Sequence, residues 1–205
     1  MRRLGLANTI TLIRMTLIPV FLVFLLGRFR AIPTWASWRA WLAAGVFIVL
    51  AATDAVDGYV ARTRNEVTTF GKFIDPLADK LLVTAALIGL VQLDALPGWI
   101  AIIIISRELI VSGLRMVAVA EGKVIAASGW GKAKTVLQIV AIVGFMIKDA
   151  PAIGTYLGAT GAQAFGLLAY VLMGAALLMT VISAVDYFYN ARHVISGPWN
   201  GGEVS

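Results

Sequence analysis

The chain has 205 residues, 60% of them hydrophobic and 14% charged, with a mean hydropathy of +0.89. Soluble domains hold about 45–50% apolar and about 25% charged residues, so this composition excludes a soluble globular protein, and it is the reverse of a disordered one. The apolar content suffices for about six spans of roughly 20 residues, which predicts an all-α integral membrane protein. No linker divides the chain, so residues 1–205 are expected to form a single membrane-embedded domain.

Seventeen basic residues against eleven acidic give a net charge of +6. In a membrane protein that excess sets orientation and attracts anionic lipid surfaces. No basic run is interleaved with polar or aromatic sequence, so no nucleic-acid partner is expected. The absence of cysteine removes disulfides, thiolate metal sites and a cysteine nucleophile.

In chain order, the predicted spans are Thr9–Gly27, Ala40–Ala61, Phe70–Leu93, Leu96–Val119, Ala133–Ile147 and Phe165–Tyr189. The first is read as a retained helix rather than a signal peptide. Arg14 and Pro19 interrupt its apolar run, and no small-residue cleavage site follows Leu26. The fifth span is short and is expected to extend toward Gly131 or Ala150. Breaks rich in Gly, Pro or charge separate the spans, among them Arg62–Thr69, Asp94–Gly98 and Asp149–Gly158, and a flexible tail is expected over about 191–205. With the N-terminus inside, ten basic residues fall on the inner side and four on the outer, which favours both termini in the cytoplasm. Trp35, Trp38, Trp41, Trp99 and Trp130 lie near span ends and read as interfacial anchors.

Ionisable residues inside membrane helices are costly and usually mark function. Here they concentrate in one segment. Asp54 and Asp57 stand three apart near the inner end of span two, and Asp75 and Asp79 four apart near the start of span three, so each pair shares a helix face. Taking Glu66 as the turn, Asp57 lies nine residues before and Asp75 nine after; Asp54 lies twelve before and Asp79 thirteen after. An antiparallel hairpin would therefore set four carboxylates face to face. Such a group needs compensation in low dielectric. Hard carboxylate oxygens suit magnesium or manganese, and no His or Cys is nearby to suggest zinc. The bland alternative is neutralisation by Arg62, Lys72 and Lys80. Gly58, Ala61 and Gly71 either admit a bulky ligand to the helix surface or serve close helix packing.

Written out, the segment is D-x-x-D-G-x-x-A-R, eight residues, then G-x-x-x-D-x-x-x-D, filled by Asp54, Asp57, Gly58, Ala61, Arg62, Gly71, Asp75 and Asp79. It resembles the signature of the CDP-alcohol phosphotransferase family without departure. The runs Asn8–Arg14, Ser106–Arg115 and Gly131–Thr135 are similar to the branch that uses sn-glycerol 3-phosphate as acceptor. The resemblance implies a six-transmembrane-helix enzyme, commonly a homodimer, in a bacterial cytoplasmic membrane with its site open to the cytoplasm. It implies transfer of the phosphatidyl group of CDP-diacylglycerol to the alcohol, with release of CMP. Magnesium, or manganese, as two ions would be held by Asp54, Asp57 and Asp75, with Asp79 both contacting a metal and acting as general base. The donor's cytidine would lie against Gly58 and Ala61, beside Gly71, with Arg62 and Thr68 contacting diphosphate or nucleotide. Thr11 and Asn8 are further cytidine contacts, although Asn8 serves equally well as a helix cap.

The acceptor's own phosphate calls for a second basic site. Arg115, Lys132 and Lys134 are expected to build it, with the deeper Arg107 as a further candidate. An intramembrane Arg107 needs a partner, which Glu108 or a bound phosphate could supply. Glu108, Ser112 and Arg115, four and three apart, form one polar stripe. For Arg14 and Lys80, snorkelling to the head groups is an alternative role. The competing classes are the same family with another acceptor (inositol phosphate, serine or phosphatidylglycerol) and a divalent-cation transporter. Transporter sites usually lie at midplane between repeated halves, and neither feature is visible here.

Overall fold

The computed structural model describes residues 6–27, 34–64, 69–120 and 129–195; side chains are described from Thr11 onward, outside positions 36, 54–64, 69–77, 79, 119–120, 129–132 and 190–195. The described residues form six helices and no strand: α1 (Leu6–Leu26), α2 (Trp35–Arg64), α3 (Thr69–Gln92), α4 (Gly98–Ala120), α5 (Gly129–Ile147) and α6 (Pro151–Ile195). Helix α1 packs on α2 and α3, α5 on α6 and α2, and α4 on α6 and α3.

The break expected at Asp94–Gly98 is present. Asp94 adopts a left-handed conformation (φ 55°). The amides of Ala95 and Leu96 both donate to the Leu90 carbonyl, at 3.0 and 3.3 Å, and close α3. The break expected over Asp149–Gly158 is mostly helix instead. Pro151 opens α6, where its fixed φ and missing N–H are tolerated. The interruption comes at Gly158, whose φ of 69° and ψ of 178° leave the helical region. The tail expected from about 191 is helical as far as Ile195.

Each helix turns a stripe inward at three- and four-residue spacing. On α1 it is Thr11, Arg14, Ile18, Phe21 and Leu25; on α2, Ala43, Phe47 and Leu50; on α6, Ala169, Met173, Ala176, Thr180, Ser183 and Tyr187. The rings of Phe21 and Phe47 meet at 5.7 Å in the centre of this core. The outside is apolar: Ile102, Val136, Leu167 and Val185 are all more than 60% exposed. Hydrocarbon on the exterior of helices is the arrangement a bilayer demands. The stretch Pro151–Tyr189 is long and apolar enough to cross a membrane, and shorter apolar stretches occupy Thr11–Leu26, Ser37–Thr53, Lys80–Gln92 and Ala133–Ile147.

Trp38 and Trp99 are exposed, as anchors should be. Trp35 differs. Its indole N–H donates to the Gly27 carbonyl at 2.7 Å, and its ring stacks on Phe24 at 6.0 Å. It fastens α2 to the end of α1 rather than reaching for the interface. The helices also approach through small residues. A Cβ at Gly89 would stand 2.5 Å from Leu25 Cδ2, and one at Gly144 would stand 3.5 Å from the Ala169 Cβ. Gly89→Ile is therefore expected to destabilise the protein by about 1–3 kcal/mol, read as a lower Tm in detergent. An unchanged Tm would mean that α1 and α3 separate there without cost.

Candidate active site

The inward stripes change character at one end of the bundle. On α1 they pass from Phe21 and Ile18 to Arg14 and Thr11; on α5 from Phe145 and Ile142 to Gln138 and Lys134; on α6 from Met173 and Ala176 to Thr180 and Ser183. On α4 the change comes at Arg107 and Glu108, beyond buried Ala101 and Ile104. These positions lie in the N-terminal halves of α1 and α5, near the middle of α4 and in the C-terminal part of α6. A cavity of about 190 Å³ opens there, walled by Arg14, Lys80, Glu108, Lys134, Thr135 and Gln138, with Phe47, Leu50 and Leu82 among its apolar lining.

Glu108 is the hub. Its Oε2 accepts from Lys80 Nζ at 3.2 Å and its Oε1 from Arg107 Nη1 at 3.4 Å, and Lys134 Nζ also donates to Oε1. The cations come from three helices, α3, α4 and α5. Arg107 is anchored a second time, its Nη2 donating to Ser183 Oγ on α6 at 2.8 Å. The Ser183 hydroxyl donates onward to the Thr180 carbonyl at 3.1 Å. Among the described residues three cations share one carboxylate, an excess of positive charge in a place sheltered from water. That is the condition under which an anion is bound strongly.

The sequence expectations fare differently residue by residue. Arg107 and Lys134, both foreseen as phosphate ligands, are brought together, and the partner expected for Arg107 is Glu108. Arg115 is exposed and does not line the cavity. Within the polar stripe of Glu108, Ser112 and Arg115, the Ser112 hydroxyl donates to the Glu108 backbone carbonyl at 2.7 Å. Thr11 is buried, on the same stripe as Arg14. Asn8, Asp54, Asp57, Gly58, Ala61, Arg62, Gly71, Asp75, Asp79 and Lys132 occupy helical positions, and their side chains lie outside the described ones; Thr68 lies outside the described residues.

Arg14 and Lys80 turn inward. Snorkelling was the alternative open to both, yet both line the cavity, and Arg14 is only 2% exposed. The signal was in the spacing: Arg14 falls four residues before buried Ile18 and seven before buried Phe21, on the core face of its helix. Gln138 and Ser183 carried no comparable signal, since single polar residues in apolar runs are common.

A family model described as CDP-alcohol phosphatidyltransferase matches residues 4–186. The chain belongs to that family. Over 198 residues it is 43% identical to a CDP-diacylglycerol–glycerol-3-phosphate 3-phosphatidyltransferase of Bacillus subtilis, covering 90% of this chain and 93% of that protein. A Haemophilus influenzae protein of the same name is 34% identical over 188 residues, 89% of this chain and 91% of its own length. One from Escherichia coli is 41% identical over 139 residues, 65% of this chain and 71% of its own.

Proposed function

We infer that this chain transfers the phosphatidyl group of CDP-diacylglycerol to sn-glycerol 3-phosphate, giving phosphatidylglycerophosphate and CMP in phospholipid synthesis. The observation that carries the reading is the placing of the cationic cavity on the helices that bear the family signature. Positions 54 and 57 continue the buried stripe Ala43, Phe47, Leu50 at the same spacing, and Leu50 lines the cavity. Positions 75 and 79 continue the stripe of Leu82 and Ala86, and Leu82 also lines it. A donor site on α2 and α3 would thus adjoin a phosphate site on α3, α4 and α5. The names of the relatives support the same pair of substrates.

Four carboxylates without His or Cys nearby form a donor set that fits hard divalent ions. Asp54, Asp57 and Asp75 would hold two magnesium or manganese ions, with Asp79 touching one of them. When bound, the ions neutralise the diphosphate and stabilise the departing phosphate of CMP. The chain's own groups do the rest. Arg62 and Thr68 grip the diphosphate, and Gly58, Ala61 and Gly71 leave room for the nucleotide, with Asn8 and Thr11 at its edge. Arg107, Lys134 and Lys80 hold the acceptor's phosphate, with Arg115 and Lys132 as additional cations on α4 and α5. Asp79 takes the proton of the acceptor hydroxyl as its oxygen bonds to the lipid-bearing phosphorus and the bond from that phosphorus to CMP breaks.

The surroundings follow from the same reading. The six helices span a bacterial cytoplasmic membrane as one domain, as a homodimer, with the polar end and both termini toward the cytoplasm. The test is CMP release by purified protein given CDP-diacylglycerol and a panel of acceptors. Glycerol 3-phosphate should be the active one; release with serine or inositol phosphate instead would reassign the acceptor. Chelation with EDTA should abolish release, and added magnesium or manganese should restore it. Full activity in metal-stripped protein would end the metal-dependent scheme.

A further inference from the structure

We propose that Glu108 is a positioning residue for the acceptor's phosphate: it holds Lys80 and Lys134 in the cavity wall, with Arg107 beside them, and yields part of their hydrogen bonding when that phosphate binds. The proposal rests on the acceptor reading above. Its basis is the geometry of the cluster. One carboxylate gathers cations from three helices, through both of its oxygens. A group serving only to neutralise buried charge would be expected to match its partners in number; among the described residues three cations meet one carboxylate, an excess of two positive charges. A phosphomonoester carries about −1.5 to −2 near neutral pH, which matches that excess. Arg107 adds a second sign. Its Nε is buried and has no hydrogen-bond partner among the described residues, while Ser183 fixes the guanidinium from the other side.

The physical role follows. Lys80 and Lys134 are long, flexible and like-charged, so without a shared anion they would move apart. Glu108 keeps them converged before the acceptor arrives. The phosphate then enters a site already formed, with its hydroxyl end directed toward α2 and α3. Glu108 is also a built-in competitor for the same donors, so its removal should not weaken phosphate binding. Instead the phosphate should settle in a relaxed, displaced position, and a displacement of about 1 Å at a reacting group can cost roughly 100-fold in rate.

The experiment is acceptor titration of Glu108→Gln at saturating CDP-diacylglycerol and magnesium. The expected result is kcat lower by about 10- to 100-fold, with acceptor KM unchanged or lower and donor KM unchanged. In the Lys134→Met background the same substitution should cost little more, because the residue acts through that lysine. Wild-type kinetics in Glu108→Gln, a raised acceptor KM at constant kcat, or costs that simply add in the double variant would each overturn the proposal. Should Glu108→Gln fail to fold, Glu108→Asp takes its place: it keeps the charge, withdraws the carboxylate by one methylene, and should lower kcat at an unchanged Tm. Wild-type protein that releases no CMP with glycerol 3-phosphate would refute the acceptor reading itself, which separates that failure from this one.

Discussion

Asp79→Asn should lower turnover by about 100- to 10,000-fold while CDP-diacylglycerol still binds. The amide keeps the size of the carboxylate and cannot take a proton, so the loss isolates general-base action from donor binding. The magnitude is that of a positioned proton acceptor, not of a lost packing contact. Asp57→Asn should behave differently. Standing centrally in the acidic segment, it is expected to weaken both metal and donor binding. Single-turnover CMP release with prebound donor distinguishes the two. Near-wild-type turnover in Asp79→Asn would move the base elsewhere.

Lys134→Met should lower acceptor kcat/KM by about 10- to 150-fold, with donor KM little changed, because a charge-assisted contact is worth roughly 1.5–3 kcal/mol. Lys134 is 3% exposed, shares Glu108 with Lys80 and Arg107, and lines the cavity. Methionine retains most of the apolar stem, so packing is kept and the charge alone is removed. Arg115→Ala is expected to do much less, since Arg115 is exposed and lies off the cavity wall. Acceptor titration of the two variants side by side decides the matter. A steep loss in Arg115→Ala with none in Lys134→Met would place the phosphate at the mouth rather than in the cavity.

Much of this chain could be read before its fold was known. Composition pointed to the all-helical architecture that the described residues show, because a bilayer leaves few other ways to satisfy the backbone. Break residues located most helix ends, since Gly, Pro and Asp act through local backbone geometry; the Asp94 turn is one such case. Where local chemistry pointed two ways, the reading failed. Pro151 marks a loop in one context and a helix start in another, and only the packing of α6 on α5 chose the latter. The aspartate signature was likewise legible, because a fixed spacing of many acids and glycines survives as a pattern in one dimension.

The cationic cluster was not. Lys80, Arg107 and Lys134 are separated by 27 residues at each step, and nothing in one dimension brings them to a common carboxylate. Arg107 and Lys134 were suspected from charge and expected topology, while for Arg14 and Lys80 the head groups stood as an alternative destination. A long cation on a membrane helix has two stable destinations, outward to the interface or inward to an anion. Its own helix register narrows the choice, as the position of Arg14 on the stripe of Ile18 and Phe21 illustrates. The partner does not come from that register. Sequence by itself determined that this protein is a helical membrane protein carrying a carboxylate signature. Only the tertiary structure decided which cations turn inward and that Glu108 gathers them, because that arrangement depends on how three separate helices pack.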